Sequence, residues 1–390
     1  MIILFISIFI FISSQVNEFE SETQKSLGQY HAELDSFRAE FGGSRNMPDI
    51  HWFQFGMGNR TKFIYKHGFL INALTADTLF RWNITKDYIL PADYEVVMRT
   101  SSGEWISIKE DSSSVKVFKD SGCEEIAGTK SLVSLPDFSG YRYPSVMKVL
   151  HHEILMNILK GMPVPNIYVY QKPWRRDAAM MTMCLKATGN LGLIRDWAES
   201  LTDPYDRNNA GETEADNLGQ TLYMISFFPG AKSQLINKIL YEVKKFEVTD
   251  KNGTYIKGRS DFHETPVYQT KWLKWGLKAM NLPDKYNIPE LADNYSALFW
   301  WDYKDPYVTG NDADDRKDYP YLGWACDHFH GVKNSPISNR DYPLTWETNA
   351  SQADYKGMAA VDSSFINART SAPHTWHSSE IFLYLLEMKN

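Results

Sequence analysis

The sequence predicts a mainly α-helical protein, an (α/α) toroid of helical hairpins preceded by a small antiparallel β region. Three observations carry that expectation. After Pro144, apolar residues recur at three or four positions in successive segments that stop at Gly, Pro or Asn. Between about Trp52 and Leu135, short runs alternate apolar with polar residues instead, separated by Gly, Asp and Ser clusters. No segment repeats with a fixed sequence, so a solenoid is unsupported, and successive hairpins are left to close into a ring with loops around a central cleft.

In chain order, residues 1–15 read as a secretory signal. MIILFISIFIFI is apolar, short for a spanning helix, and followed by Ser13, Ser14 and Gln15. With no Lys or Arg ahead of it and a poor small-x-small cleavage site, a retained membrane anchor is the alternative. The expected location is therefore secreted or vesicular, lysosome-like, with no membrane contact once the signal is removed. Sequons at Asn59, Asn83, Asn252, Asn294 and Asn349 are compatible with export. Residues 16–50 form a polar lead-in, loose or helical.

Residues 51–140 hold the β hairpins, in KFIYKHGFLI, YEVVMRT, EWISIKE and VKVFKD. Residues 141–390 form the toroid. Its helices are expected in PSVMKVLHHEILMNILKG, RRDAAMMTMCLKATG, NLGLIRDWAESL, EADNLGQTLYMISFF, KSQLINKILYEVKKF and PVYQTKWLKWGLKAM. The chain ends on SAPHTWHSSEIFLYLLEMKN, where Phe382, Leu385 and Leu386 make an apolar stripe and Pro373, His374, Trp376, His377 and Glu380 crowd the helix start. Residues 288–361 are less regular, with long aromatic loops of the kind that carry function.

Composition narrows the function. A 390-residue chain that is 43% hydrophobic and 14% aromatic has material for a large core. A net charge of -7, with no concentrated basic stretch, excludes nucleic acid as the main partner. Cys123, Cys184 and Cys326 are too few and too scattered for a disulfide framework or a zinc cluster, and Cys184, in AAMMTMCL, reads as a buried inert thiol. Nothing in the sequence sets an oligomeric state.

The chemistry-bearing residues gather in loops. Trp174, Trp300, Trp301, Trp324, Trp346 and Trp376 sit beside carboxylates or Arg, in KPWRRD, FWWDYKD, GWACDHFHG, LTWE and PHTWHSSE. Sugars need both kinds of group: their C–H faces stack on indoles, and their hydroxyls take bidentate charged partners such as Asp302. Each Trp alone reads equally as core; together they point to a carbohydrate cleft. GETEADNLGQ places Glu212, Glu214 and Asp216 at a loop-to-helix junction, with Asn217 and Gln220 beside them and Asn209 just upstream in RNNAG. Acids near a helix N-terminus are expected on dipole grounds alone, but this combination reads as a lined pocket.

Three segments resemble the glucoamylase-type (α/α)6 glycosidases, the six-hairpin superfamily. KPWRRDAAMMTMCLKATGN is similar to that group's Arg-Asp-Ala helix start, which implies substrate binding by Arg176 and Asp177. HETPVYQTKWLKWGLKAM, with Gln269, resembles the helix after its general-acid loop, and PHTWHSSEIFLYLL its closing helix; EADNLGQ is similar to a Gln-x-Asp-x-x-Gly pattern, with Glu214 at the Gln position. The likeness spans about residues 140 to 390 and makes the crowded start of the last helix one wall of a sugar cleft, lined by His374, Trp376 and His377.

Glycoside hydrolysis with inversion needs a carboxylic acid and a carboxylate base. In TYIKGRSDFHET, Lys257 stands where the resemblance leads one to expect the acid, which leaves Asp261 and Glu264, or Glu212 and Glu214. Glu347, after Trp346 in YPLTWETNASQ, is the preferred base.

His151, His152 and Glu153 lie in an amphipathic helix and read as a mixture of surface and core; the pairs His328/His330 and His374/His377 lack a metal-site carboxylate spacing. No phosphate loop, GxSxG elbow or Cys nucleophile motif is present. The expectation is a glycoside hydrolase acting on an oligo- or polysaccharide with no metal or cofactor. The substrate contacts are Trp174, Arg176, Asp177, Asn209, Asp216, Asn217, Gln269, Trp301, Asp302, Trp346, His374, Trp376 and His377. A noncatalytic glycan-binding protein, or a sugar epimerase or polysaccharide lyase, is the alternative.

Overall fold

The computed structural model describes residues 2–42, 44–128, 131–230, 233–260, 263–291, 337–350, 353–371 and 373–388. The expected Trp301 and Asp302 contacts, with Trp300, Trp324, His328 and His330, and the candidate acid Asp261, lie outside the described residues.

A long helix comes first, α1 (Ile2–Phe41), running through the predicted signal and lead-in. Tyr30, Leu34, Phe37 and Phe41 recur at helical spacing and are all buried, so this end of α1 is packed on the core. Among the described residues no helix is long and apolar enough to cross a membrane.

The alternating segments form two antiparallel sheets. One is a four-stranded meander, β1 (Phe53–Phe55), β2 (Phe63–Lys66), β3 (Phe69–Asn72) and β4 (Thr78–Arg81); the other is five-stranded, β5 (Ile84–Leu90), β6 (Glu95–Thr100), β7 (Trp105–Glu110), β8 (Ser114–Lys119) and β9 (Gly122–Gly128). Period-two alternation puts Val96, Met98, Ile106, Ile108, Val115 and Val117 on the buried side of the second sheet.

The helices then follow: α2 (Pro144–Met156), α3 (Arg175–Ala187), α4 (Arg195–Ser200), α5 (Asp216–Ile225), α6 (Ser233–Val243), α7 (Pro266–Ala279), the short α8 (Tyr355–Met358) and α9 (Ser364–Ala368), and the closing α10 (Thr375–Glu387). Two-stranded sheets interrupt them: β10–β11 (Ile158–Leu159 and Met162–Pro163), β12–β13 (Glu247–Asp250 and Gly253–Ile256), β14–β15 (Arg259–Ser260 and His263–Glu264) and β16–β17 (Glu347–Thr348 and Thr370–Ser371).

This corrects the expected fold class. The protein is mixed α and antiparallel β with a substantial sandwich-like part, not a mainly α toroid with a small β appendage. The physical reason is that the buried faces of the sheets share one core with α1, α2, α3 and α10, while α5, α6 and α7 add a second apolar cluster of their own. Trp52, Ile64, Val96 and Ile108 belong to the same apolar cluster as Phe37, Met147, Met181 and Ile381. Helical periodicity locates helical segments, but it carries no information about which other element covers an apolar face.

The helices that position the site pack in the order α2, α10, α3, α5, α7. The α5/α7 crossing depends on glycine. A Cβ on Gly219 would stand 2.3 Å from the Trp272 carbonyl carbon, and one on Gly276 would stand 2.5 Å from the Gly219 oxygen. Backbone-to-backbone approach at this point brings the start of α5 against Tyr268 on α7.

Candidate functional site

The site is built where α3, α5 and α10 begin. Arg176 and Asp177 occupy the first turn of α3 and are buried. The Arg176 guanidinium faces carboxylates from the α5 junction: Nη2 donates to Glu214 Oε2 at 2.7 Å and Nε to Asp216 Oδ2 at 3.2 Å. Its Cζ lies 5.8 Å from the ring centroid of Trp376 on α10, within cation–π range. Asp216 Oδ2 also accepts from Gln220 Nε2 at 2.9 Å, and the same nitrogen reaches the Tyr268 hydroxyl at 3.1 Å. The second oxygen of Asp216, Oδ1, is buried and has no hydrogen-bond partner among the described residues. A buried carboxylate oxygen left this way is costly, and such an atom in a native fold calls for an explanation.

The other side of the site comes from the β16–β17 strand pair. Pairing of Glu347 with Ser371 brings the strand that carries Glu347 beside His374, just before α10. His374 Nε2 and Glu347 Oε2 are 2.6 Å apart. Burial alone would lower the His374 pKa, but the charge and hydrogen bond of Glu347, with Asp177 adding, raise it above its ordinary value against the opposing charge of Arg45. Its neighbour is driven the other way. Burial, then the charges of Arg45 and His374, hold His377 well below the ordinary histidine value, although the two rings are only 5.1 Å apart. Arg45 Nη1 lies 3.5 Å from His377 Nε2. One turn beyond His377, Glu380 is fully buried with Oε1 unpartnered, and burial pushes its carboxyl well above the usual range despite Arg45. Asp177 joins the two sides, accepting from Thr375 Oγ1 at 3.3 Å.

Comparison of the chain with family models, curated proteins and solved structures finds no match. The site is therefore read from its own geometry.

The structure brings together Arg176, Asp177, Glu214, Asp216, Glu347, His374, Trp376 and His377 from the sequence-predicted set. Asn217 stands just behind them, its Oδ1 accepting from the Asp206 N–H at 3.2 Å and its amide donating to Gln220 at 3.3 Å. Gln269 is occupied in holding the preceding loop, accepting from Gly258 N–H at 2.8 Å and donating to Ser260 Oγ at 3.2 Å. Trp346 is a core residue, packed edge-on to Trp52 with its indole N–H donating to Pro343 O at 3.0 Å. Trp174 is half-buried against Tyr170, with ring centroids 5.0 Å apart. Glu212 and Asn209 are exposed, and Glu264 is exposed in a 3.1 Å ion pair with Lys257.

Sequence reasoning assigned no role to Arg45, Glu153 or Glu380. Glu380 was detectable, since it lies three residues from His377 and four from Trp376 on one helical face. Glu153 carried a weaker signal, a carboxyl inside the apolar run of α2. Arg45 carried none, because its neighbour is more than 300 residues away in sequence. Among the described residues no His, Cys, Asp and Glu group is arranged to hold a metal ion.

Proposed function

We propose that this protein is a glycoside hydrolase acting on an oligo- or polysaccharide, with Glu347 as the general base. The observation that carries the reading is the Arg176 cluster: a buried guanidinium between two carboxylates, an indole beside it, and a buried Asp216 oxygen with no partner among the described residues. A sugar hydroxyl supplies what that oxygen lacks, a hydrogen-bond donor. Glu347 is a carboxylate held in one orientation by the His374 ring 2.6 Å away, and positioning is what a base that activates water needs. For the acid, Glu214 is tied to Arg176, whereas burial raises the Glu380 carboxyl well above the usual range, which favours Glu380. The likeness to glucoamylase-type glycosidases implied a helical toroid, which this fold is not, so the reading rests on the site alone.

A second reading is favoured by one observation. His374 and His377 are neighbours whose pKa values are displaced in opposite directions, up and down, an arrangement suited to moving a proton at carbon in a sugar epimerase or polysaccharide lyase.

One experiment separates these readings. Purified protein is incubated with a saccharide panel in D2O and the products are read by NMR. Hydrolysis gives new reducing ends without unsaturation, a lyase gives an unsaturated end, and an epimerase puts deuterium on carbon. Binding without any product leaves a noncatalytic glycan-binding protein. On a hydrolysed substrate, Glu347→Gln is expected to lower kcat by about 10²- to 10⁴-fold with substrate still bound; full activity in that variant removes Glu347 as base.

A further inference from the structure

We propose that Glu153 is a positioning residue, holding from α2 both chain segments that carry the Glu347–His374 pair. The proposal rests on the reading of that pair as the working groups of the site, but its test does not need hydrolysis.

Glu153 is wholly buried in an apolar stretch of α2, where a carboxyl is costly unless its oxygens are engaged. Both are. Oε1 accepts the Leu344 N–H at 2.6 Å and Oε2 accepts Thr345 Oγ1 at 2.6 Å. Those donors stand immediately before Trp346 and Glu347. The Thr345 hydroxyl extends the connection to the other member: with its one proton given to Glu153, its oxygen accepts the His374 N–H at 3.4 Å, 3.3 Å from the His374 carbonyl oxygen and 3.1 Å from Ser378 Oγ. Ser378 Oγ donates back to the same carbonyl at 2.7 Å. One side chain thus fixes the strand on one side of the 2.6 Å pair and the helix start on the other. Burial raises the Glu153 carboxyl to about 8, against the hydrogen bonds from Thr345 and Leu344, and a proton on it does not undo the link, since a threonine hydroxyl accepts as well as donates.

The readout is the NMR titration of the His374 ring in the full chain. The groups that face it are Glu347 from β16, Asp177 from α3, Arg45 from the segment after α1, and His377 from its own helix. In Thr345→Val the hydroxyl link is cut while Leu344 keeps its acceptor; in Glu153→Ala both donors lose theirs. Glu153→Gln can accept from Leu344 and donate to Thr345. The expected result is a fall in the His374 pKa of about one unit or more in Thr345→Val and Glu153→Ala, with the wild-type value restored in Glu153→Gln. Thr345→Val decides the matter if Glu153→Ala does not fold. Folded Thr345→Val with an unchanged His374 titration overturns the proposal. Wild-type protein that hydrolyses nothing, with the His374 shift still seen in Thr345→Val, keeps the positioning role and removes the hydrolase reading. Hydrolysis with an unmoved His374 does the reverse.

Discussion

Arg60 and Arg176 each place a guanidinium against a buried carboxylate, one beside the sheets and one at the helix starts, and the two clusters are finished differently. Arg60 Nη1 donates to Glu110 Oε1 at 2.6 Å, while both Glu110 oxygens also take backbone donors, Gly56 N–H at 2.8 Å and Met57 N–H at 2.6 Å. The rest of Arg60 caps the Asp111 and Ser112 carbonyls at 2.8 and 2.6 Å, and Lys62 closes the same loop through Gly56 and Gly58 carbonyls. Apart from Arg60 Nε, the polar atoms of this network find partners, most of them backbone groups. Around Arg176 the carboxylate partners are side chains from the α5 junction, and among the described residues one carboxylate oxygen is left over. A closed network fixes a loop. An open one, with acceptor capacity to spare beside an aromatic ring, is fit to take a ligand.

The largest effect expected from this contrast is on stability. Glu110→Ala strands a buried Arg60 and two backbone N–H groups, and should cost about 3–5 kcal/mol in urea denaturation. A loss below about 1 kcal/mol would mean that the Arg60 cluster is not the fastener its geometry implies.

A smaller effect separates unpartnered atoms from sites. Neither ring nitrogen of His152 makes a side-chain hydrogen bond among the described residues; its polar contact is with the Gln54 backbone, and it is stacked between Phe53 and Tyr94, with centroids 5.0 and 5.6 Å away. Burial lowers its pKa to about 3. The folded state therefore binds fewer protons than the unfolded chain, so the His152 contribution is full above its ordinary pKa near 6.5 and is lost as pH falls toward about 3. His152→Phe keeps the stacking and removes the proton site. It should raise stability by about 2 kcal/mol at about pH 5 and change little at neutral pH. An equal shift at both pH values would show that packing, not protonation, is what changed.

The local elements were legible and their assembly was not. KFIYKHGFLI became the β2–β3 hairpin and RRDAAMMTMCLKATG became α3 because alternation and helical spacing are properties of neighbouring residues. That the strands' apolar sides pack with α1, α2, α3 and α10 in one core is a long-range fact, and the toroid expectation failed on it. The same division holds at the site. Arg176 and Asp216 were found through their own segments, and Trp376 through the crowding at the start of α10. Trp346 was assigned to a cleft because carboxylate neighbours in sequence say nothing about which way an indole points; its N–H is spent on Pro343. Glu153 was read as part of a surface and core mixture, since nothing near it in sequence shows that Leu344 and Thr345 will be its donors.

The most direct test of the claim that the Arg176 cluster is a ligand site is Asp216→Asn, measured for saccharide affinity by calorimetry and for stability on the same preparation. The amide oxygen can still accept from Arg176 and Gln220, and the new NH₂ falls where Oδ1 has no partner among the described residues. Stability should therefore change by no more than about 1 kcal/mol. Affinity for the saccharide identified on the panel should fall about tenfold or more, because a charged acceptor for a sugar hydroxyl is gone. A large stability loss like that expected of Glu110→Ala, with affinity unchanged, would contradict the account and make the Arg176 cluster a second structural fastener.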